Sequence, residues 1–213
     1  MEQPREKLMS RGAQSLEDAE LLALLLCTGQ PGKPVAELAR DLLTEFGSVS
    51  ATLAAPWEQL RRRSGIGQAK FALLQAVREL AKRASAEALR DRPLVPDSES
   101  TRQFLVTHLG GLRQEVFAVM FLDTRHRLIR FEQLFTGSLT QTSVYPREVA
   151  RRALQLNAAA VIAAHNHPSG TAEPSRADQL LTNQLRRSLE VLDIRLLDHL
   201  IVAGERTLPA GEA

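Results

Sequence analysis

The spacing of apolar residues divides the chain into a helical first part and a second part in which strands and helices alternate. In residues 17–26 and 35–46, apolar side chains recur every three or four positions, which predicts amphipathic helices. Further helices are expected at residues 57–60 and 68–88. Gly47 directly follows the helix at 35–46, and a glycine at that position commonly ends a helix.

The second part contains short apolar runs of the length expected for strands. The runs at 115–122 and 128–135 flank a polar turn and predict two paired strands. Residues 146–156 have helical spacing, and residues 158–164 are apolar throughout, which predicts a buried strand. A helix ending near residue 189 and strands near Arg195 and at 199–203 complete the pattern. This order predicts a mixed α/β fold.

Composition and helix-breaking residues predict a domain boundary and exclude some classes of protein. Prolines and polar residues interrupt the helical pattern at 90–100, so we predict a helical domain at 1–91 and an α/β domain at 92–213. The net charge is only +2, and no apolar run is long enough to span a bilayer. The one cysteine, Cys27, excludes an intramolecular disulfide and is expected in the core of a helix. We therefore expect a cytoplasmic protein without membrane contact.

The densest cluster of chemically active side chains follows the predicted strand at 158–164. His165 and His167 come directly after it, and residues two apart in an extended chain point to the same side. A turn then leads to Ser175 and Asp178. Two histidines and an aspartate with an open fourth position are typical of a catalytic zinc site rather than a closed structural one. The pattern therefore predicts a metal-dependent hydrolase.

Ser175 and Asp178 also fit a purely structural explanation. They stand at the start of the amphipathic run DQLLTNQLRRSL, so Ser175 is expected to cap a helix and Asp178 to lie in its first turn. An acidic side chain there is stabilised by the helix dipole without any metal. The two explanations are compatible, because the same helix can present the carboxylate to a metal ion.

The segment HNHPSGTAEPSRAD resembles the JAMM motif of the JAB/MPN metallopeptidase superfamily, which has the form His-x-His-Pro, six residues, Ser-x-x-Asp. Asn166 occupies the position where the deubiquitinating branch usually has Ser or Thr. Longer segments are similar to the RadC family of bacteria, historically named as DNA repair proteins. These segments are PREKLMSRGAQSLEDAELLALLLCTG, LRRRSGIGQAK and LFTGSLTQTSVYPREVARRALQLNAAAVIAAHNHPSG. The resemblance covers nearly the whole chain.

This resemblance implies both a fold and a metal. The fold is a JAB/MPN-type α/β sandwich, which is cytidine-deaminase-like, preceded by a helix-hairpin-helix domain. His165, His167 and Asp178 are implied to hold one zinc ion (Zn2+) per chain, with water as the fourth ligand. Ser175 is implied to lie beside that water and to stabilise the oxyanion formed when it attacks a carbonyl.

The resemblance also implies a glutamate on an early strand as general base and then acid. Glu115, which opens the run EVFAVMFLD, is our candidate, and Glu132 and Glu148 are the alternatives. The pair Asp198-His199 precedes the last apolar run. We expect it to have a structural role at a strand edge, with the orientation of a metal ligand as the alternative.

In the first domain, the segment Gly65-Ile66-Gly67 between two predicted helices resembles a helix-hairpin-helix motif. Glycines allow close approach of the backbone to a phosphate, and the following helix offers free N–H groups. Basic side chains nearby would add contacts that are independent of sequence and sensitive to salt. The candidate nucleic-acid contacts are Arg61, Arg62, Arg63, Gly65, Gly67 and Lys70.

Two features of the first domain weaken the expectation of DNA binding. Residues 1–91 carry 13 Lys or Arg against 12 Asp or Glu, so the domain lacks the basic excess of dedicated DNA-binding domains. A Gly-Ile-Gly segment also serves as a plain tight connection between helices, and helix-hairpin-helix folds are used for protein contacts too. DNA binding by this domain is therefore expected to be weak if it occurs.

Two functions from different classes follow from the sequence. The first is a zinc metallohydrolase that cleaves a peptide or isopeptide bond in an unknown peptide or protein substrate. The second is an accessory factor in DNA repair or recombination that binds nucleic acid or protein, with a structural or vestigial metal site. The undamaged ligand set favours the hydrolase, and the two functions are compatible if the first domain delivers the second to a substrate.

Overall fold

The computed structural model describes residues 3–89, 93–96, 98–137 and 144–211. The chain divides into two compact units, Met1–Ala81 and Lys82–Ala213. The division falls N-terminal to the domain boundary that we predict at 91/92. No helix in these described ranges is both long and apolar enough to cross a bilayer.

Short helices make up the first unit, and their bounds agree closely with those predicted from apolar spacing. They are α1 (Pro4–Arg11), a 3₁₀ helix (Ala13–Ser15), α2 (Asp18–Leu26), α3 (Val35–Phe46), α4 (Val49–Ala54), α5 (Trp57–Leu60) and α6 (Gln68–Ala88), which extends past the division. Their buried leucines form one core, which includes Leu26, Leu42, Leu60 and Leu74. Gly47 ends α3 with a φ of +83°, a conformation that favours glycine.

Cys27 differs from its predicted place in the core of a helix. Helix α2 ends at Leu26, and Cys27 follows it with a φ of +59° and an exposed side chain. The apolar run LLALLLC predicted a longer helix, but its last residue lies outside α2 and does not share the helical face that packs inward.

A five-stranded mixed sheet with helices on both faces forms the second unit. Its elements are α7 (Glu99–Leu109), β1 (Val116–Leu122), β2 (Leu128–Thr136), α8 (Pro146–Gln155), β3 (Ala160–Asn166), α9 (Arg176–Glu190), β4 (Arg195–Ala203) and β5 (Arg206–Pro209). The strand order is β2-β1-β3-β4-β5, and only β3 and β4 pair in parallel. The fold is the mixed α/β arrangement predicted from the sequence.

Every residue of β1 and β3 is buried, because these central strands carry apolar side chains on both faces. One face of the sheet packs with α7 through residues such as Phe104, Ala118 and Ile162. The other face packs with α8 and α9 through residues such as Val119 and Leu185. The predicted strands near Arg195 and at 199–203 are one continuous strand, β4, and β5 follows it in a hairpin that the apolar pattern did not reveal.

The register of β1 and β3 determines which end of the sheet carries the candidate site. Phe117 lies opposite His165 in this antiparallel pair. Glu115 directly precedes β1 and His167 directly follows β3, so both residues stand at this end of the sheet. Side chains alternate between faces along a strand, so Phe117 and His165 share the face covered by α8 and α9.

Candidate metal centre

His165, His167 and Asp178 converge at the end of β3. Their ligand atoms lie within 4.8 Å of one another, and this is the one such group of three found in the described parts of the chain. His165 Nε2 lies 2.9 Å from His167 Nε2 and 3.2 Å from Asp178 Oδ1, and His167 Nε2 lies 3.8 Å from Asp178 Oδ2. The structure thus brings together the three residues that the motif predicts as metal ligands.

Asp178 is held in place by the start of α9. Ser175 caps this helix and forms a capping box with Asp178: Ser175 Oγ accepts from Asp178 N–H at 3.1 Å, and Ser175 N–H donates to Asp178 Oδ2 at 2.8 Å. Ser175 Oγ also donates to Asp178 Oδ2 at 2.7 Å. The predicted helix start is therefore confirmed, and the cap fixes the carboxylate that faces the histidines.

The carboxyl group of Asp178 is ionised in this environment. Burial by itself would raise its pKa, but the ring of His165, when it carries its second proton, and the hydrogen bonds from Ser175 outweigh burial and hold the pKa well below its usual range. Asp178 therefore presents a negative charge to the two imidazole rings, as a carboxylate ligand of a cation must.

A backbone carbonyl determines which ring nitrogen of His167 carries a hydrogen. His167 Nδ1 lies 2.7 Å from Thr171 O, and a carbonyl oxygen can only accept, so Nδ1 carries the hydrogen. In the neutral ring, Nε2 then has a free lone pair directed at His165 and Asp178. A hydrogen bond from the non-ligating nitrogen to a carbonyl is the usual arrangement for a histidine that binds a metal.

The three residues fit a zinc ion by chemistry and by spacing. Imidazole nitrogens and a carboxylate oxygen are common zinc ligands, and two lone pairs facing a carboxylate need a cation between them. Zinc bonds of about 2.0–2.1 Å at a tetrahedral angle separate neighbouring ligand atoms by about 3.3 Å. The separations of 2.9 and 3.2 Å from His165 Nε2 to His167 Nε2 and Asp178 Oδ1 are close to this value, and the other oxygen, Asp178 Oδ2, lies 3.8 Å from His167 Nε2.

His199 and Thr182 also belong to the site, and Thr182 was not predicted from the sequence. His199 Nε2 lies 2.8 Å from His165 Nδ1, and His199 Nδ1 lies 2.7 Å from Thr182 Oγ1. Burial and the positive charge that His165 can carry lower the pKa of His199 to about 3, so its ring is neutral. The expectation of a strand-edge role for His199 is wrong, because β4 is an inner strand of the sheet and His199 contacts a candidate ligand directly.

Asn166 lies between the two candidate histidine ligands, but its side chain joins a different part of the fold. Its Oδ1 accepts from Val116 N–H at 2.8 Å, and its Nδ2 donates to Leu112 O at 3.2 Å and Gln114 O at 3.0 Å. The buried amide thereby fixes the backbone on both sides of Glu115. The histidine motif and the segment that carries the candidate base are therefore connected through one side chain.

The alternative bases, Glu132 and Glu148, are each held in an ion pair with an arginine. Glu132 forms an ion pair with Arg152, with Glu132 Oε1 and Arg152 Nη2 2.5 Å apart, in the middle of β2. Glu148 pairs with Arg151 on α8, where Glu148 Oε2 and Arg151 Nη2 are 2.8 Å apart. Glu115 is half-buried and stands beside the first residue of β1. Of the three glutamates, only Glu115 lies within the segment whose backbone is hydrogen-bonded by Asn166.

The residues predicted to contact DNA have differing surroundings in the helical unit. Arg61 pairs with Glu58 at 2.7 Å and Arg63 with Glu45 at 2.5 Å, whereas Arg62 is exposed. These ion pairs offset part of the positive charge of the arginine run.

The ammonium group of Lys70 donates to three backbone carbonyls. One of them is Gly65 O at 2.8 Å, and the others belong to Thr28 and Gly29. Its bonds therefore link the Gly-Ile-Gly segment to the loop after α2, which is a structural role.

Comparisons with known proteins agree with this architecture. The profile of a RadC-like JAB domain matches residues 95–210, and the profile of a UPF0758 N-terminal domain matches residues 1–72. A UPF0758 protein of Nitrosomonas eutropha is 53% identical over 211 residues, covering 99% of this chain and 94% of the relative. A UPF0758 protein of Leptothrix cholodnii is 54% identical and covers 98% of this chain and 94% of the relative. The chain therefore belongs to the RadC family, in which a UPF0758 N-terminal domain precedes a RadC-like JAB domain.

Proposed function

We propose that this chain is a zinc-dependent metallohydrolase that cleaves a peptide or isopeptide bond. The observation that carries the proposal is the convergence of His165 Nε2, His167 Nε2 and the ionised Asp178 carboxylate within 4.8 Å at one end of the sheet. Three protein ligands of this kind leave a fourth position for water, as catalytic zinc sites do.

His165, His167 and Asp178 would hold the zinc ion, which would supply a water molecule with a pKa lowered towards neutrality. Glu115 would act as the base that takes a proton from this water molecule, and the same carboxyl group would return the proton to the leaving amine. Ser175 would stabilise the oxyanion that develops on the substrate carbonyl by turning towards it the one hydroxyl hydrogen that it donates to Asp178 Oδ2 in this structure. Asn166 supports this arrangement because it fixes the backbone next to Glu115.

The accessory function in DNA repair is the weaker candidate. Arg61 and Arg63 pair with glutamates of the same unit, and Lys70 is engaged by backbone carbonyls. Contacts with phosphates would compete with these interactions, so any binding of DNA through the hairpin would be weak and would fall as salt is raised.

Metal content is the first test of the proposal. The full chain, purified without chelator or added metal, is analysed by elemental mass spectrometry beside His167→Ala and Asp178→Ala. We expect about one zinc ion per chain in the wild type, as the three-ligand site implies, and strong loss in both variants. A wild-type chain that contains no zinc and takes up none on addition would contradict the proposal.

The role of Glu115 is tested by a matched pair of substitutions. Glu115→Gln removes the candidate base, whereas Glu132→Gln makes the same chemical change at the glutamate that pairs with Arg152. We expect both variants to retain zinc and only Glu115→Gln to lose hydrolysis of peptide and isopeptide libraries, by a factor on the order of 10² or more. Equal activity of the two variants would assign the base to another residue.

A further inference from the structure

A buried chain of hydrogen bonds leads from the candidate ligand His165 to the backbone of the candidate ligand Asp178. Its members are His165 on β3, His199 on β4 and Thr182 on α9. The distances are 2.8 Å from His165 Nδ1 to His199 Nε2, 2.7 Å from His199 Nδ1 to Thr182 Oγ1, and 2.7 Å from Thr182 Oγ1 to Asp178 O. At most 4% of the surface of each of these three residues is exposed.

The carbonyl at one end fixes the direction of every hydrogen bond in the chain. Asp178 O can only accept, so Thr182 must donate its single hydroxyl hydrogen to it. Thr182 Oγ1 then accepts from His199 Nδ1–H. Because His199 is fully buried, and burial disfavours a charged ring, this is the one hydrogen of its ring. His199 Nε2 is therefore an acceptor, and it receives the hydrogen of His165 Nδ1.

The hydrogen bond between His165 Nδ1 and His199 Nε2 determines whether His165 Nε2 can bind a cation. With its hydrogen on Nδ1, the neutral ring of His165 has a free lone pair on Nε2. That atom lies 3.2 Å from Asp178 Oδ1, so the chain begins and ends at the two residues that face each other across the site. The same residue, Asp178, contributes a carboxylate to the site and a carbonyl that orders the chain.

We propose that Thr182 and His199 are positioning residues of the metal centre, which hold His165 in the tautomer and orientation that bind a metal. This inference rests on the proposed zinc site. A histidine that is free to adopt either tautomer must lose a hydrogen from Nε2 whenever it is there before that atom can bind a metal. A ring fixed with its hydrogen on Nδ1 can bind the metal without this step. Partners of this kind typically contribute a factor of about 10 to 100 to metal affinity.

The test compares variants that differ in the hydroxyl group alone. Thr182→Val keeps the size of the side chain and removes the hydroxyl, and Thr182→Ser keeps the hydroxyl. Zinc affinity of the full chain is measured by competition with a chromophoric chelator. We expect about 10- to 100-fold weaker binding for Thr182→Val and affinity within about threefold of the wild type for Thr182→Ser.

A second pair of variants probes His199 in the same way. In His199→Gln the amide oxygen can accept from His165 Nδ1, whereas His199→Leu fills the space without an acceptor. We expect zinc binding to be stronger in the Gln variant than in the Leu variant by about tenfold or more. Circular dichroism confirms that each variant is folded before its affinity is compared.

The tautomers can be observed directly without metal or substrate. Nitrogen-15 chemical shifts of the histidine rings in the metal-free full chain should show Nδ1–H for both His165 and His199. Nε2–H at His165 would overturn the inference, as would equal zinc affinities of the folded Thr182→Val and Thr182→Ser variants. If the wild type binds zinc and these pairs do not differ, only this inference fails; if the wild type binds no zinc, the proposed function fails with it.

Discussion

Asn166 separates two residues that face the metal site, yet its own side chain points to the opposite face of the sheet. Its amide forms three hydrogen bonds to the backbone of residues 112–116, and the residue is 2% exposed. An amide provides one acceptor and two donor hydrogens at the end of a side chain that is longer than that of serine. The serine or threonine of the deubiquitinating branch cannot reproduce all three bonds, so this position holds the Glu115 segment in a way particular to asparagine.

We predict that Asn166→Ser lowers the free energy of unfolding by about 2 kcal/mol, because buried backbone groups lose their partners. Asn183→Ser makes the same change at an exposed site of α9 and should have little effect. Urea unfolding measures both. Zinc affinity of Asn166→Ser should stay near that of the wild type, because its side chain contacts the Glu115 segment and not the ligands. A loss of zinc with unchanged stability would show that Asn166 acts on the ligands instead.

The candidate ligands could be predicted from the sequence because all three belong to one short motif. His165 and His167 flank a single residue at a strand end, and Asp178 follows after one turn. His199 could not be predicted as their partner, because its contact with His165 depends on the parallel pairing of β3 and β4. One local signal was available: Thr182 follows Asp178 by four residues, and such residues share a helical face.

At the scale of elements, the two glycines of the Gly-Ile-Gly hairpin have different roles. Gly65 has a φ of +89°, and a Cβ at this position would lie 3.2 Å from atoms of Gln30 and Leu38. Gly67 lies in open space, where a Cβ would meet no atom within 4 Å. The first glycine is therefore required by the fold of the hairpin. The second is open to solvent, as a contact with a phosphate requires.

We predict that Gly65→Ala lowers the free energy of unfolding by about 1–2 kcal/mol, because it combines an unfavourable φ with close contacts. Gly67→Ala should change stability by less than about 0.5 kcal/mol. The fluorescence of Trp57, the one tryptophan of the chain, follows unfolding of the helical unit in urea. A similar loss of stability in both variants would show that the strain at Gly65 is not the cause.

The ion pair between Glu132 on β2 and Arg152 on α8 gives a prediction about pH. The hydrogen bond from Arg152 holds the pKa of Glu132 below its usual value, so the ionised carboxylate stabilises the folded state. This stabilisation is present above the pKa of the unfolded chain, about 4.3, and is lost as the pH falls through the lower pKa of the folded state.

We therefore expect Glu132→Gln to lower the free energy of unfolding at pH 7 by about 1 kcal/mol, a modest value because the pair is partly exposed. The difference between wild type and variant should shrink as the pH is lowered below about 4, where the wild-type glutamate becomes protonated. Urea unfolding of both proteins at pH 7 and below about pH 4, with chelator present throughout, measures this difference in stability. A difference that grows in acid would have the wrong sign for this ion pair.

At the scale of the whole molecule, hydrophobic spacing was sufficient for the helical unit and for the central strands. The bounds of α3, α5 and α6 follow from the sequence because their apolar faces are regular. Strand β4 appeared as two pieces because Asp198 and His199 interrupt the apolar run, although His199 is fully buried and satisfied by neighbouring elements. Strand β5 was missed because Thr207 is its one buried residue, which leaves no alternating pattern to detect.

The proposed zinc site also predicts how the stability of the second unit depends on zinc. A ligand that binds only the folded state stabilises it by about 2.7 kcal/mol at a free concentration one hundred times its Kd. For a unit of this size, that corresponds to a rise in Tm of about 10 °C. Calorimetry of the full chain with and without zinc should show this rise in one transition, and a chelator should reverse it.

Two variants show whether the rise belongs to this site. Asp178→Asn should abolish it, because the carboxylate ligand is lost, whereas Asp18→Asn changes an acidic residue in the first turn of α2 and should retain it. The comparison uses the shift caused by zinc rather than the Tm itself, because Asp178→Asn also weakens the capping box with Ser175. An equal shift in both variants would mean that zinc stabilises the chain through other groups, and that the three converging ligands do not form the metal site.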